Sequence, residues 1–536
     1  MINNRYADML LNKLKEKGIF SEYLPESFKI DLNKWDLYVA GAATGDRIEP
    51  YSYYMSRFGK NGHRRLISIP EISSYVLLIN YLNDNKSILL DLIMASKDDI
   101  NSFSRFVNSD VQLLDENNIY GESVPRNIID ESSENYESEK DYSLFLLNMA
   151  QKINLTKGAK GILHVDISEF YKNIYTHIVG CISLGIDGIK KAYDENKQTL
   201  VYKRYCGLDE KIRRMNGLRT NGFLVGPYIS RVLSEGILSV VDNELRQLGI
   251  KFTRYADDYE IALYDNDDWQ CILNSVINIF DKFYLKINEE KTYYEEYPFY
   301  LFNNYEKVLK SFKAENTNLR FVDVIEIFNK FLQMEKAGDK GAVAYLLKAY
   351  SKNYTVYNKK LYTNYLLNII CNDERNMSYA CKIIVDEYKN SRLYLDSDFY
   401  KKIISQISVN IKKNNDLAIV WLTYLLVYTN YKFKVEDIIT LVEGKSELGM
   451  IIIMEELPHL ITLEIKEKCW NELNSWLFLY QFSLRYPEYR EQFFEKVRIN
   501  KNKNFYNKLF LHNFSFYKKE GKTEPDKLID NFIDLS

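Results

Sequence analysis

Between about residue 155 and 300, apolar positions fall in short strand-like runs: GILHVDI at 161–167, KFTRY at 251–255 and YEIALY at 259–264. Such short runs with near-alternating polarity predict strands. Between them, SRVLSEGILSVVDNELRQL at 230–248 spaces its apolar residues three and four apart, which predicts a helix. Strands interleaved with helices predict an α/β or α+β layer domain. From about residue 20 to 150, apolar runs such as LISIPEISSYVLLI alternate with polar stretches, and the acidic IIDESSENYESEK at 128–140 reads as a surface loop. After Pro298 the next proline is Pro458, and only five of the 22 glycines lie in 301–536. FVDVIEIFNKFLQM and NDLAIVWLTYLLVY repeat apolar residues at helical spacing there, so this part predicts paired helices without a nameable repeat period.

Composition narrows the class. At 536 residues the chain has room for two or three domains. No run of about 18 apolar residues exists, so no membrane partner is expected. The first twenty residues are charged throughout, unlike a secretory leader. The expectation is a soluble, cytoplasmic protein. Six cysteines sit far apart with no CxxC pair, which indicates reduced thiols rather than a disulfide or zinc framework. Residues 301–536 carry 35 Lys+Arg against 30 Asp+Glu, leaving 36 against 44 for residues 1–300. Neither part is a nucleic-acid binder by bulk charge.

The chemistry points to carboxylates. In FTRYADDYEIALY at 252–264, Asp257 and Asp258 interrupt two strand-like runs, as the turn of a hairpin would. Asp166 closes another strand-like run just before an amphipathic stretch. Burying a lone carboxylate costs several kcal/mol unless it is compensated. A divalent cation would compensate it. Three aspartates from two adjacent strand ends form the hard oxygen set that two Mg²⁺ ions need to align a hydroxyl with a nucleotide's phosphates. The plainer alternative is an ordinary turn and an Asp166 satisfied by backbone N–H groups.

The order of motifs resembles reverse transcriptases. HVDISEFYKNIYTH is similar to motif A, TNGFLVGPYISRVLSEGILSVVD at 220–242 to motif B, RYADDYEIAL to motif C and LKINEEKT at 285–292 to motif D. Upstream, KNGHRRLISIP at 60–70 is similar to a fingers segment. The resemblance covers roughly residues 50–295. It implies an α+β right-hand polymerase: N-terminal segment and fingers over 1–155, and a palm with a ferredoxin-like sheet over 156–305. An all-α, HEAT-like helical-repeat domain over 306–536 would replace the thumb. It further implies that Asp166, Asp257 and Asp258 bind two Mg²⁺ ions, with Mn²⁺ as a substitute. Tyr171 would stack under the nucleotide sugar and exclude a 2′-hydroxyl, and Gly226 would let the backbone approach the base or template. Arg65 would hold the triphosphate and Lys291 would protonate the pyrophosphate. Motif B here reads LVGPY, without the glutamine common beside its glycine, which puts the template contact in question.

Within the family, the pattern is similar to bacterial abortive-infection (AbiK-like) and other defence-associated reverse transcriptases. That implies dNTP substrates, homo-oligomeric assembly, and synthesis started from a tyrosine of the protein, sometimes without a template. The DNA product would then be covalently attached. Templated synthesis on a bound non-coding RNA is the first alternative. A non-catalytic sensor or binding scaffold is the second.

Overall fold

The structure is a computed structural model. It describes residues 4–30, 35, 41–56, 64–107, 113, 144–195, 199–301, 304–312, 321–339, 341–353, 359–390, 393 and 395–519. The acidic stretch 128–140 and residues 60–63 of the fingers segment lie outside them.

Among the described residues, two antiparallel sheets carry the strands. The first pairs β1 (Tyr51–Ser56) with β2 (Arg64–Ile69), Tyr51 opposite Ile69 and Ser56 opposite Arg64. Pro70 follows β2, and Glu71 then caps helix Ile72–Asp84, accepting from the amides of Ser73 and Ser74. A carboxylate there satisfies amides that have no partner within the helix.

The second sheet is formed by β3 (Gly161–Asp166), β4 (Phe252–Tyr255), β5 (Asp258–Leu263) and β6 (Tyr293–Glu296), in the order β4-β5-β3-β6. All its pairings are antiparallel. Helix Tyr228–Gln247 precedes β4 and helix Trp269–Lys282 follows β5, giving the β-α-β-β-α-β connectivity of a ferredoxin-like sheet. The two helices pack on each other, and Lys282 pairs with Glu244 at 2.8 Å. The strands predicted from the apolar runs are present to within a residue or two of their expected ends. Ile162, Leu163 and Val165 of β3 join Phe252, Tyr259, Ile261 and Phe280 in the core. Covering the β3–β5 centre with aliphatic and aromatic groups makes the sheet rigid up to its end.

Beyond residue 304 the described residues are helical, with no strand among them. Successive helices pack in pairs, as expected: Phe321–Ala337 on Ala342–Asn353, Lys359–Asn372 on Met377–Lys389, Ser397–Lys413 on Asp416–Tyr428. Helix Asp416–Tyr428 departs from the amphipathic expectation, being buried without a break from Leu417 to Val427. An apolar circumference belongs to a helix enclosed on all sides. Its neighbours Met377–Lys389, Ser397–Lys413 and Glu447–Glu456 enclose it, and Trp476–Arg485 continues the row. No described helix is long and apolar enough to cross a membrane.

The helical part grips the N-terminal segment. Asp416 accepts from the Tyr54 amide at 2.7 Å and Asn415 from the Ser56 amide at 3.2 Å, so side chains cap the outer edge of β1. Trp421 Nε1 donates to the Tyr23 carbonyl at 2.8 Å, and Lys382 pairs with Glu26 at 2.9 Å. Asp46 accepts from the amides of Asn500, Lys501 and Asn502, which hold its carboxyl below the ordinary value although burial pushes it up. The buried Tyr506 hydroxyl donates to Glu71 at 2.5 Å.

Candidate active site

The register of the four-stranded sheet sets the geometry of the aspartates. Asp166, the last residue of β3, lies directly opposite Asp258, the first of β5. Facing residues of an antiparallel pair stand about 4.5–5.5 Å apart at Cα. Asp257 occupies the two-residue turn with Ala256, between Tyr255 and Asp258. The chain after β3 is tied to that turn by the Ile167 amide, which donates to the Asp257 carbonyl at 3.2 Å. From the other side, Asn288 donates its amide to the Asp166 carbonyl and Ser168 to that of Lys286, both at 2.7 Å. Thus the regions resembling motifs A, C and D meet at one end of the sheet.

Charge is crowded there. Asp166 is buried, Asp257 half-buried, and Asp258 exposed as a residue although its carboxyl group is hemmed in. The Asp258 carboxyl is pushed up to about 7, by desolvation first, then by the hydrogen bond shared with Asp166 and the negative charges of Asp257 and Asp166. Asp257 is raised too, chiefly by burial and then by Asp166, with Arg65 and Lys291 opposing. Lys291 Nζ donates to Asp166 Oδ1 at 2.8 Å, and that bond holds its ammonium above the ordinary lysine value. The lysine expected to act as an acid therefore sits on a metal-ligand candidate and keeps its proton firmly.

Among the described residues no three His, Cys, Asp or Glu side chains stand as a closed metal-ligand group. The donors are nonetheless of the right kind for Mg²⁺: three carboxylates, two of which have their pKa raised by burial and by the neighbouring negative charges. A divalent cation fits that crowding.

The remaining expected residues surround this end. Tyr171 lies in the single turn Phe170–Asn173, five positions after Asp166. Its ring packs edge-on against Phe170 at 5.3 Å, and its hydroxyl receives a bond from Ser234 at 3.4 Å. Burial first, and Asp257 among the nearby charges, raise that hydroxyl's pKa. Arg65 is an exposed residue of β2 whose charge acts on Asp257. Gly226 lies beside β2 with φ at +124°, where an added Cβ would meet Ile67 Cγ2 at 2.8 Å and the Ser68 carbonyl at 3.0 Å. The Ser68 amide donates to the Val225 carbonyl at 2.7 Å. The backbone at Gly226 thus packs closely on β2, just ahead of Pro227 and the helix that begins at Tyr228.

Sequence reasoning passed over Arg254, which is wholly buried behind the turn among Asp99, Glu235 and Asp242. A signal was present: Glu235 and Asp242, seven positions apart, share a helix face, and an arginine precedes the YADD tetrapeptide.

Three aspartates, an aromatic and two cations thus gather at one end of the four-stranded sheet. Residues 100–321 match the family model described as reverse transcriptase (RNA-dependent DNA polymerase), a stretch holding every expected site residue except Arg65. The match supports a polymerase of the reverse transcriptase family. Two solved structures are similar over most of their length: apo telomerase from Candida tropicalis, and telomerase from the same organism in complex with the TWJ fragment of telomeric RNA. They are 12% and 13% identical, cover 78% and 80% of this chain and 70% and 67% of their own, each with a TM-score of 0.30. No curated protein matches the chain.

Proposed function

We propose that the protein is a DNA polymerase that transfers deoxynucleoside monophosphates from dNTPs to a hydroxyl acceptor. The observation that carries this reading is Asp166 facing Asp258 across β3 and β5 with Asp257 in the adjoining turn. These carboxylates would hold two Mg²⁺ ions, or Mn²⁺ in their place, which when bound lower the charge on the phosphates and align the acceptor oxygen. Tyr171 lies within the electrostatic reach of Asp257 and would exclude a 2′-hydroxyl. Arg65, whose charge acts on Asp257, would bind the triphosphate. Lys291 would offset charge at Asp166 and supply a proton once that bond is released. Gly226 would seat β2 against the start of the motif B helix.

The finer reading is a defence-associated, homo-oligomeric enzyme primed on one of its own tyrosines, with the helical part as a repeat stack in place of a thumb. It rests on motif resemblance and on the helices packing in successive pairs. Templated synthesis on a non-coding RNA is the second reading, favoured by the family model's description as RNA-dependent. Purified protein incubated with each labelled dNTP and Mg²⁺ or Mn²⁺, with no primer, tests both. Label that survives denaturation on the polypeptide and is removed by DNase supports protein priming. Label that appears only with added RNA and primer supports the templated enzyme. No label under either condition, with Asp257→Asn behaving as wild type, overturns the polymerase reading.

A further inference from the structure

The turn that presents Asp257 and Asp258 is backbone-strained. Ala256 has φ +52°, a left-handed value at the first position of a two-residue hairpin loop, where glycine is the usual occupant. An alanine there costs roughly 1–2 kcal/mol, and such strain persists only where surrounding groups over-determine the conformation. Both polar groups of the Ala256 backbone are held. Its amide donates to Ser104 Oγ at 2.9 Å, and its carbonyl accepts from Arg254 Nη1 at 3.1 Å.

Arg254 is itself fixed on every side. Nε donates to Asp242 at 2.6 Å, Nη1 to Glu235 at 3.0 Å, and Nη2 to Glu235 at 2.9 Å and Asp99 at 3.1 Å. All five N–H bonds of the guanidinium thus have acceptors, the condition under which a buried charge is tolerated. Ser104 also donates to Glu235 at 3.0 Å, so one carboxylate orients both groups that grip Ala256. The segment around Ser104 is anchored to β4: the Phe103 amide donates to the Arg254 carbonyl, and the Arg254 amide to that of Asn101, both at 2.8 Å. Arg246 ties Asp99 from the far end of the motif B helix at 2.8 Å.

We propose that Ser104, Arg254 and Glu235 are positioning residues that hold the Ala256–Asp257 turn in its strained form and so set where Asp257 and Asp258 stand relative to Asp166. The inference rests on the proposed role of those carboxylates as metal ligands. Its device is a clamp built from three separate chain segments: the loop at 101–105, which bridges onto β4 at Ser102, the motif B helix and β4.

Ser104→Ala removes one hydroxyl and tests the clamp with little threat to folding. Ser104→Thr, which keeps the hydroxyl, is the conservative control. In metal-free protein, hydrogen exchange over the peptide spanning 252–258 should quicken about tenfold in Ser104→Ala, as expected for losing one backbone hydrogen bond. Mn²⁺ affinity read by electron paramagnetic resonance should weaken by a similar factor. In the incorporation assay kcat should fall about tenfold with KM for dNTP within about twofold, the pattern of misplaced reacting groups. Ser104→Thr should restore all three. Unchanged exchange and unchanged Mn²⁺ affinity in a folded Ser104→Ala protein would overturn the proposal while leaving the polymerase reading intact. If wild type incorporates no nucleotide but exchange and Mn²⁺ affinity respond as described, the polymerase reading falls and the clamp stands. A wild type that binds no Mn²⁺ at these aspartates defeats both.

Discussion

Helix Asp416–Tyr428 and hairpin β4–β5 are both deeply embedded, yet they are held by different physics. The helix is enclosed through Leu417, Ile419, Leu422 and Leu425, and its stability comes from area removed from water. Behind the hairpin stands a guanidinium with three carboxylates, all nearly inaccessible. Apolar packing tolerates small readjustments and is strong in sum. A saturated ionic cluster adds little net stability, but it penalises any arrangement that leaves one charge unpaired. The molecule therefore uses bulk burial where it needs a scaffold and buried charge where atoms must stand in one place. Even the strain of Ala256 sits in the second region.

This contrast can be broken by substitution. The largest effect is expected at Asp257→Asn, where incorporation should fall on the order of 10³-fold or more, since charge stabilisation is lost at the reacting centre. The metal-free thermal midpoint should stay level or rise, because a neutral amide relieves the carboxylates that raise one another's pKa. Incorporation assays and metal-free melting check this together. A large loss of midpoint would mean that the site contributes to the scaffold after all.

Leu425→Ala should do the reverse. Its fully buried side chain leaves a cavity worth about 2–5 kcal/mol, while incorporation per folded molecule stays at the wild-type rate. Denaturant unfolding alongside activity normalised to folded protein decides it. Tyr171→Ala should reduce the preference for dNTP over rNTP by about 10–100-fold, the scale at which one steric contact discriminates. The ratio of the two kcat/KM values measures it.

The smallest effect concerns Glu447, a buried carboxylate of the helical part that accepts from the amides of Asn474 and Ser475 at 2.8 and 3.0 Å. Burial holds its pKa above the ordinary 4.5 despite those bonds. The fold thus binds this proton more tightly than the unfolded chain does, and stability declines as pH rises through the raised value. Glu447→Gln, neutral throughout, should gain on wild type in melting temperature as pH rises above the ordinary 4.5. A gap that narrows over that range contradicts the assignment.

The amino-acid sequence by itself determined the strand ending in Asp166, the hairpin around Asp257 and Asp258, the helix from Tyr228 and the helical character beyond residue 304. Each of these follows from periodicity and turn chemistry within a window of a few residues. That Asp166 would face Asp258 was foreseeable only because the order of motifs matched a known family. Tertiary structure alone decided that Gly226 rests on β2, that Lys291 bonds Asp166, that Asp416 caps the edge at Tyr54 and that Arg254 gathers Asp99, Glu235 and Asp242. Those contacts join segments separated by 12 to more than 360 positions. Local pattern specifies which face of an element is apolar. It does not specify which distant polar group will complete a buried charge, because that depends on how the finished elements dock.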